Sequence, residues 1–541
     1  MSENVGFSRR SMLRAIPAAV LVAASDGILS RWSAAAAPVA FPQPAVRSAR
    51  RVAGRPGAVL EETLDVRFTE TDVPGHGTVR TRTYNGTIPG PTLRVAAGDT
   101  LRLTQVNGLP PNAPHSGDHN RPHDFNSFNL HTHGLHVDPT GDADNVLRVF
   151  APRTAEEVEA GAPEPRYLTT IDIPADHPAG TFWYHPHLHG ATSTQLVGGM
   201  AGVLIVQGDV DEVPEIAAAA DLVVCVNELR LKDGEVPAFD AGNALAAVPP
   251  VLTVNGAVNP TVTLRPGEVQ RWRLVCATAF TALTLRLTGD GPEDQTLHQI
   301  AQDGVTFPAV VATDTVRLAM GNRADVLVRG GDPGSYLLRT DGVADPLLTV
   351  QVAGEPVDPP MELPTDLPAG KPFLDESDLT DPDADREVVF HVDPNVFTGP
   401  FANAFRMLGS HPTPAADPDG DLTRDRAYGL FDPGFVNHTL ELDTVERWTL
   451  RTDETNRVFH HPFHLHTNHV QVTHRNGERL DPPVWQDTVD LAGGRPGDTV
   501  TFLVRYQDFT GRVVAHCHQL QHEDLGMMQV VDYVEARRPG R

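Results

Sequence analysis

The feature that most restricts what this 541-residue chain can fold into is the brevity of its apolar runs, which alternate with polar residues and are broken throughout by 47 prolines and 46 glycines. In a strand, side chains at i and i+2 share a face, so runs of this kind read as half-buried strands and not as helices. They fall into three groups: residues 62–69, 93–95, 101–106, 168–173 and 202–206; then 222–226, 262–264, 269–275 and 325–328; then 388–392, 447–451, 499–506 and 528–531. The expected fold is therefore all-β, with sandwich or barrel units at 55–210, 214–354 and 386–541 and a proline- and aspartate-rich linker at 355–385. Duplication is suggested by Gly98-Asp99, Gly267-Glu268 and Gly497-Asp498, each a glycine and an acidic residue ahead of an alternating run.

A formal charge of -27, with Lys232 and Lys371 the only lysines, argues against nucleic acid or an anionic membrane as partner, since both reward clustered cations. Residues 1–40 read as an export signal. Ser8-Arg9-Arg10-Ser11-Met12-Leu13-Arg14 is of the twin-arginine type, and it precedes an apolar stretch too short to span a bilayer and a run of small residues. A periplasmic or extracellular location is expected, with no stable membrane insertion. Three cysteines make no disulfide framework. Cys225 and Cys276 sit in strand-like runs as buried apolar groups, a bridge between them being the lesser alternative, whereas Cys517 is flanked by histidines.

Four segments concentrate the chemistry: His131-Thr132-His133, His185-Pro186-His187, His464-Leu465-His466 and His516-Cys517-His518. On a strand each His-x-His pair offers two imidazoles on one side, and Cys517 points opposite to His516 and His518, so one strand serves two metal sites. A thiolate, two imidazoles and a weak axial thioether make a blue copper centre, for which His461, His522 and Met527 are the remaining candidates. Met528 competes with Met527, and adjacent strand residues cannot both serve. Zinc is the competing metal, but a closed zinc site needs four ligands and leaves eight paired histidines unexplained. His115, His119 and His123 lie in a polar loop and are expected to be exposed, with an auxiliary metal site as the lesser alternative. His136, His189, His460, His469 and His474 adjoin the motifs and are expected to support them.

Together with Asn85-Gly86-Thr87-Ile88-Pro89-Gly90-Pro91-Thr92-Leu93 and Trp485-Gln486-Asp487-Thr488-Val489, these motifs resemble the three-domain multicopper oxidases of the laccase type over nearly the whole mature chain. The resemblance implies three cupredoxin-like Greek-key sandwiches, with the trinuclear cluster between the first and third and the second as a spacer. It implies four coppers: type 1 on His461, Cys517, His522 and axial Met527; type 2 on His131 and His464; and a type 3 pair on His133, His185, His187, His466, His516 and His518. Glu523 and Asp142 match the positions of proton-relay carboxylates, and His522 is the implied electron entry. The implied reaction couples one-electron oxidation of phenols or aromatic amines to reduction of dioxygen to water. Oxidation of cuprous, ferrous or manganous ions is the alternative, and a non-catalytic copper-binding or structural relative is a more distant one. A monomer is expected.

Overall fold

In the computed structural model, the residues described are 38–237, 239, 245, 247–289, 295–393, 405–409, 429–452, 460–491 and 497–536. The export signal, and most of the segment 397–430 that precedes the third domain's central strands, lie outside them. Strands dominate, in six sheets that pack as three pairs.

Each expected strand forms, and the burial pattern shows why. Thr100–Asn107 sends Leu101 and Leu103 into the first core, and Leu283–Thr288 buries Leu283, Leu285 and Leu287 while its intervening residues face outward. Between the paired sheets of the third domain, Trp448, Phe463, Phe502, Tyr506 and Tyr533 are fully buried. Each large apolar side chain so placed stabilises the fold by about 1.5–3 kcal/mol. Between Leu348–Val352 and Asp385–Val392 the chain makes one 3-10 turn, Glu376–Asp378, and reaches the core through single residues such as Leu379. That follows from its proline and aspartate content.

The second and third sandwiches have the same wiring. A six-stranded sheet begins with Ala220–Arg230 and Pro250–Val254 in one, and with Asp385–Val392 and Phe405–Leu408 in the other. The five-stranded sheet opposite runs in the corresponding order in both. The first sandwich follows the same path with fewer strands. The duplication is therefore real, but one of its sequence markers is misplaced. Gly98 and Gly267 precede the equivalent strands Thr100–Asn107 and Val269–Ala277, whereas Gly497 precedes Thr499–Arg505, which has a different place in the sheet. The equivalent strand is Val445–Thr452, and there the left-handed turn position is held by Asp443 (φ 62°), which the glycine pattern does not detect.

Cys225 and Cys276 lie on adjacent parallel strands, with Cys225 opposite Val275 and Val226 opposite Cys276. That one-residue offset puts the two thiols on opposite faces, in different cores, and both are free. Among the described residues no helix is long and apolar enough to cross a membrane.

Candidate metal centres

Two antiparallel strand pairs carry five of the eight paired histidines, and His187, His466 and His518 sit just past the strand ends. In the first domain His131–His133 pairs with Gly180–His185, placing His131 opposite His185. In the third, Pro462–Leu465 pairs with Gly511–Cys517, placing His464 opposite His516 and Phe463 opposite Cys517. Alternation then sorts the side chains. Cys517 joins Phe463 and Leu465 in the core of the third domain, while His464, His466 and His516 face the histidines of the first. The chemistry thus lies where the two domains meet, 277 positions apart in the closest motif pair, His187 and His464.

All eight paired imidazoles are buried, and their free nitrogens converge. His131 Nε2 and His464 Nε2 stand 3.4 Å apart. His187 Nε2 is 3.0 Å from His516 Nε2 and 3.2 Å from His466 Nε2, which is 3.4 Å from His516 Nε2. The third group is His133, His185 and His518: His133 Nδ1, His185 Nε2 and both ring nitrogens of His518 are buried with no hydrogen-bond partner among the described residues. Buried nitrogens are seldom left orphaned, and three groups facing one another are an arrangement that a bound cation completes. Several rings are fixed from behind. Each of His185 and His516 aims Nδ1 at a backbone carbonyl, Pro186 O at 2.9 Å and Cys517 O at 3.2 Å, and His464 Nδ1 does the same to Asp487 O at 2.8 Å. This leaves Nε2 as the ligand atom. Burial, reinforced by the neighbouring rings, holds His131, His133, His185, His466 and His518 well below the usual imidazole range, and burial brings His464 down to about 3. The rings are neutral and ready to ligate.

The fourth group is His461, Cys517 and His522, with the Nδ1 atoms 3.7 and 3.6 Å from the sulfur. Burial pushes the Cys517 thiol well up, so a cation is what makes it a thiolate here. Met527 packs in the same core as Cys517, whereas Met528 lies in a separate cluster with Val146, Phe431, Val514 and Val530. Of the two sulfurs, Met527 is on the cysteine's side. His522 is buried, and Phe405 stacks on its ring at 4.0 Å.

Sequence models of multicopper oxidases match residues 119–211, 230–354 and 410–537, together well over half the chain. The chain belongs to the multicopper oxidase family. It is 22% identical to the multicopper oxidase mco of Staphylococcus aureus, over 82% of each chain. It is also 26% identical to the cell division protein FtsP of Salmonella typhimurium, over 90% of this chain and 91% of that one. A laccase from Pediococcus acidilactici shares its fold, with a TM-score of 0.70, 23% identity and coverage of 92% and 94%.

For a multicopper oxidase the implied metal is copper, and the donor set fits it: imidazoles in three convergent groups, and a thiolate with two imidazoles in the fourth. The carboxylates around the groups need one correction. Asp142 is exposed and pairs with Arg148 at 3.2 Å. The carboxylate beside the histidines is Asp144, buried, 3.1 Å from His131 Nδ1 and accepting the Thr132 N–H at 2.8 Å. Two aspartates two residues apart in one loop look alike in sequence, and the turn that carries them decides which points inward. Glu523 is fully buried, 3.0 Å from His516 Nδ1 and 3.6 Å from His187 Nδ1, and accepts the Thr192 hydroxyl at 3.2 Å. Burial raises both Asp144 and Glu523 to about 7.

The second domain also reaches the histidine groups, which a spacer would not do. Arg323 donates two hydrogen bonds to Asp487, at 2.9 and 2.5 Å, and Asp487 Oδ1 lies 3.1 Å from His133 Nε2. This turns His133 so that Nδ1 faces the group. Asp303, also from the second domain, accepts the Arg323 backbone N–H at 2.9 Å, and the Asn322 side chain at 2.8 Å. The arginine keeps Asp487 ionised, while burial and that neighbouring charge push Asp303 up. Gly321 completes the wall: a Cβ there would come within 3.0 Å of His133 and 3.1 Å of His518. Asp487 stands in a motif visible in sequence. Arg323 opens an ordinary strand and Asp303 sits in a strand-joining turn, single charges with nothing to mark them as site residues.

Of the supporting histidines, His469 binds Asp303 O at 3.0 Å, His136 pairs with Asp508 at 2.8 Å, and His460 lies 3.3 Å from Asp490. Asp524, which motif reading passed over, is buried and accepts from the amides of Gly190, Thr192 and Ser193. It fixes Thr192–Leu196 beside Glu523.

Proposed function

We propose that this multicopper oxidase is laccase-like, coupling four one-electron oxidations of phenols or aromatic amines to the reduction of dioxygen to two waters. In this reading His461, Cys517, His522 and Met527 hold a type 1 copper. His131 and His464 hold a type 2 copper, and His133, His185, His187, His466, His516 and His518 hold a type 3 pair, four ions per chain. The observation that carries the reading is the Cys517 strand, whose cysteine joins one ligand group and whose flanking histidines join two others. Copper bound there supplies one-electron acceptance at the thiolate and dioxygen reduction at the three-ion site.

The protein's own residues do the rest. The backbone from Cys517 to His516 and His518 is a covalent path between the two sites. Glu523 holds a proton behind His516 and His187, and Asp144 holds another behind His131, where the reaction consumes four. Arg323 and Asp487 keep His133 in its ligating orientation. Phe405 stacked over His522 puts an aromatic ring beside the path of an electron entering there.

The second reading is oxidation of small metal ions. The full ligand set distinguishes the chain from a non-catalytic relative, in which ligands are free to be lost. Export by the twin-arginine route and function as a monomer complete the proposal. A reporter behind residues 1–45 should cross the membrane, and should fail to after Arg9→Lys with Arg10→Lys. The function itself is tested by oxygen uptake from the copper-loaded protein with a panel of phenols, aromatic amines and reduced metal ions. Uptake with a phenol supports the laccase-like reading, uptake with metal ions alone supports the second, and none with any donor defeats both.

A further inference from the structure

The segment between Thr100–Asn107 and His131–His133 carries three histidines that none of the four ligand groups uses. His115 and His119 are exposed and His123 is half-buried. The rings of His115 and His123 are 4.6 Å apart between centroids, and those of His119 and His123 are 6.3 Å apart. The carboxylate of Asp124 stands 3.7 Å from His115 Nε2, so a negative charge belongs to the same cluster.

His123 is held as a metal-binding imidazole is held. Its backbone N–H donates to Gly190 O at 2.9 Å, and its ring lies against Gly190, where any Cβ would come within 2.3 Å of Nδ1. Its Nδ1 is 2.7 Å from Arg121 O. A carbonyl can only accept, so Nδ1 carries a proton and the lone pair of the neutral ring is on Nε2. His189, next to Gly190, binds Asn120 through Nε2 and keeps a buried Nδ1 with no hydrogen-bond partner among the described residues. His115 must exchange a long 3.2 Å contact between the Gly117 amide and its Nδ1 to present Nε2, and His119 must swing inward, as an exposed side chain can.

The cluster is also placed against the turn that carries His522 and Met527. Asn120, adjacent to His119, donates to Phe431 O at 3.0 Å, and the Phe431 N–H donates to Gly526 O at 2.9 Å. A Cβ on Gly526, whose φ is 113°, would come within 2.8 Å of Leu430 Cδ2 and 3.0 Å of Asn120 Oδ1. A cation on these histidines would sit on the surface above a short chain of contacts that ends beside Met527.

We propose that His115, His119 and His123, with Asp124, bind a single copper ion as a substrate, at a station separate from the resident metals. Three imidazoles and one carboxylate suit copper or zinc and disfavour calcium or magnesium, which take oxygen ligands, and copper is the metal the family of this chain uses. A cuprous ion held there gives up one electron to the thiolate site and leaves as cupric ion. Four such ions, one dioxygen and four protons yield four cupric ions and two waters. The redox step rests on the oxidase reading above, whereas the binding step does not.

Two measurements on the copper-loaded protein separate these claims. Equilibrium dialysis against cupric ion should show one ion beyond the resident complement in the native chain, and none in the variant combining H115A, H119A and H123A. The double variant H115A/H119A leaves the packed His123 in place, and should bind the extra ion at least ten-fold more weakly. Oxygen uptake with cuprous ion should show KM raised at least ten-fold in both variants, with KM and kcat for a phenol unchanged. The proposal is overturned if the native chain takes up no extra ion, if the variants hold it as tightly, or if the KM for cuprous ion does not move. Absence of uptake with any donor in the native chain counts against the oxidase reading alone, since the dialysis result still decides the site.

Discussion

The second and third domains share one wiring diagram and put it to different uses. In the third, Pro462–Leu465 faces Phe463 and Leu465 inward and His464 outward, and the neighbouring Gly511–Cys517 faces Cys517 inward and His516 outward. In the second, the equivalent Leu283–Thr288 faces leucines inward and Thr284 and Arg286 outward, with Arg286 paired to Asp341 at 2.6 Å. The equivalent Gly334–Arg339 buries Leu338. The sandwich supplies strands whose alternate residues face a neighbour, and the residue types at those positions decide whether a metal site results. Fold and function are thus separable within one chain. The second domain is nevertheless not inert, because it contributes Arg323, Asp303 and Gly321 to the far side of the histidine cluster.

The comparison can be broken or sharpened by substitution. The largest effect is expected from Arg323→Leu, which leaves Asp487 buried without the arginine that balances its charge. It should cost about 3–5 kcal/mol of stability and weaken copper retention about 10–100-fold, measured by chemical denaturation and metal analysis. Leu285→Ala, in the core of the same domain, should cost about 2–5 kcal/mol while leaving copper retention unchanged. If Arg323→Leu lost only stability, the second domain would be a spacer after all.

Glu523→Gln should lower turnover about 100-fold without loss of bound copper. The sign of the pH dependence follows from burial, which raises this carboxyl to about 7. Below that pH it carries a transferable proton, and above it the proton is gone, so native turnover should fall as pH rises through about 7. The variant should lack that limb. The smallest effect separates two aspartates. Asp142→Asn, on the surface, should change stability by less than about 0.5 kcal/mol and leave turnover near native. Asp144→Asn should lower turnover by removing the carboxylate behind His131.

Much of this was legible in the sequence, for a physical reason. Period-two alternation determines both strand and facing, so the opposite orientation of Cys517 and His516 is readable from the sequence, while His187, His466 and His518 continue the pattern just past the strand ends. What alternation does not determine was not legible. Asp142 and Asp144 lie in a turn, where facing depends on backbone dihedrals. The third turn of the repeat uses Asp443 where the others use glycine. Arg323 is an isolated charge whose partner, Asp487, is 164 positions away. Phe405 stacks on His522 from a strand 117 positions earlier, a contact that alternation does not mark.

The central claim is that one strand, through Cys517 and its flanking histidines, serves two metal sites at once. The direct measurement is copper content together with the visible spectrum, for the native chain and for Cys517→Ser. The native chain should hold about four coppers and show an intense blue thiolate band, and the variant should lose the band and one copper while keeping about three. A native chain with one copper or none, or a variant that stays blue, would contradict it.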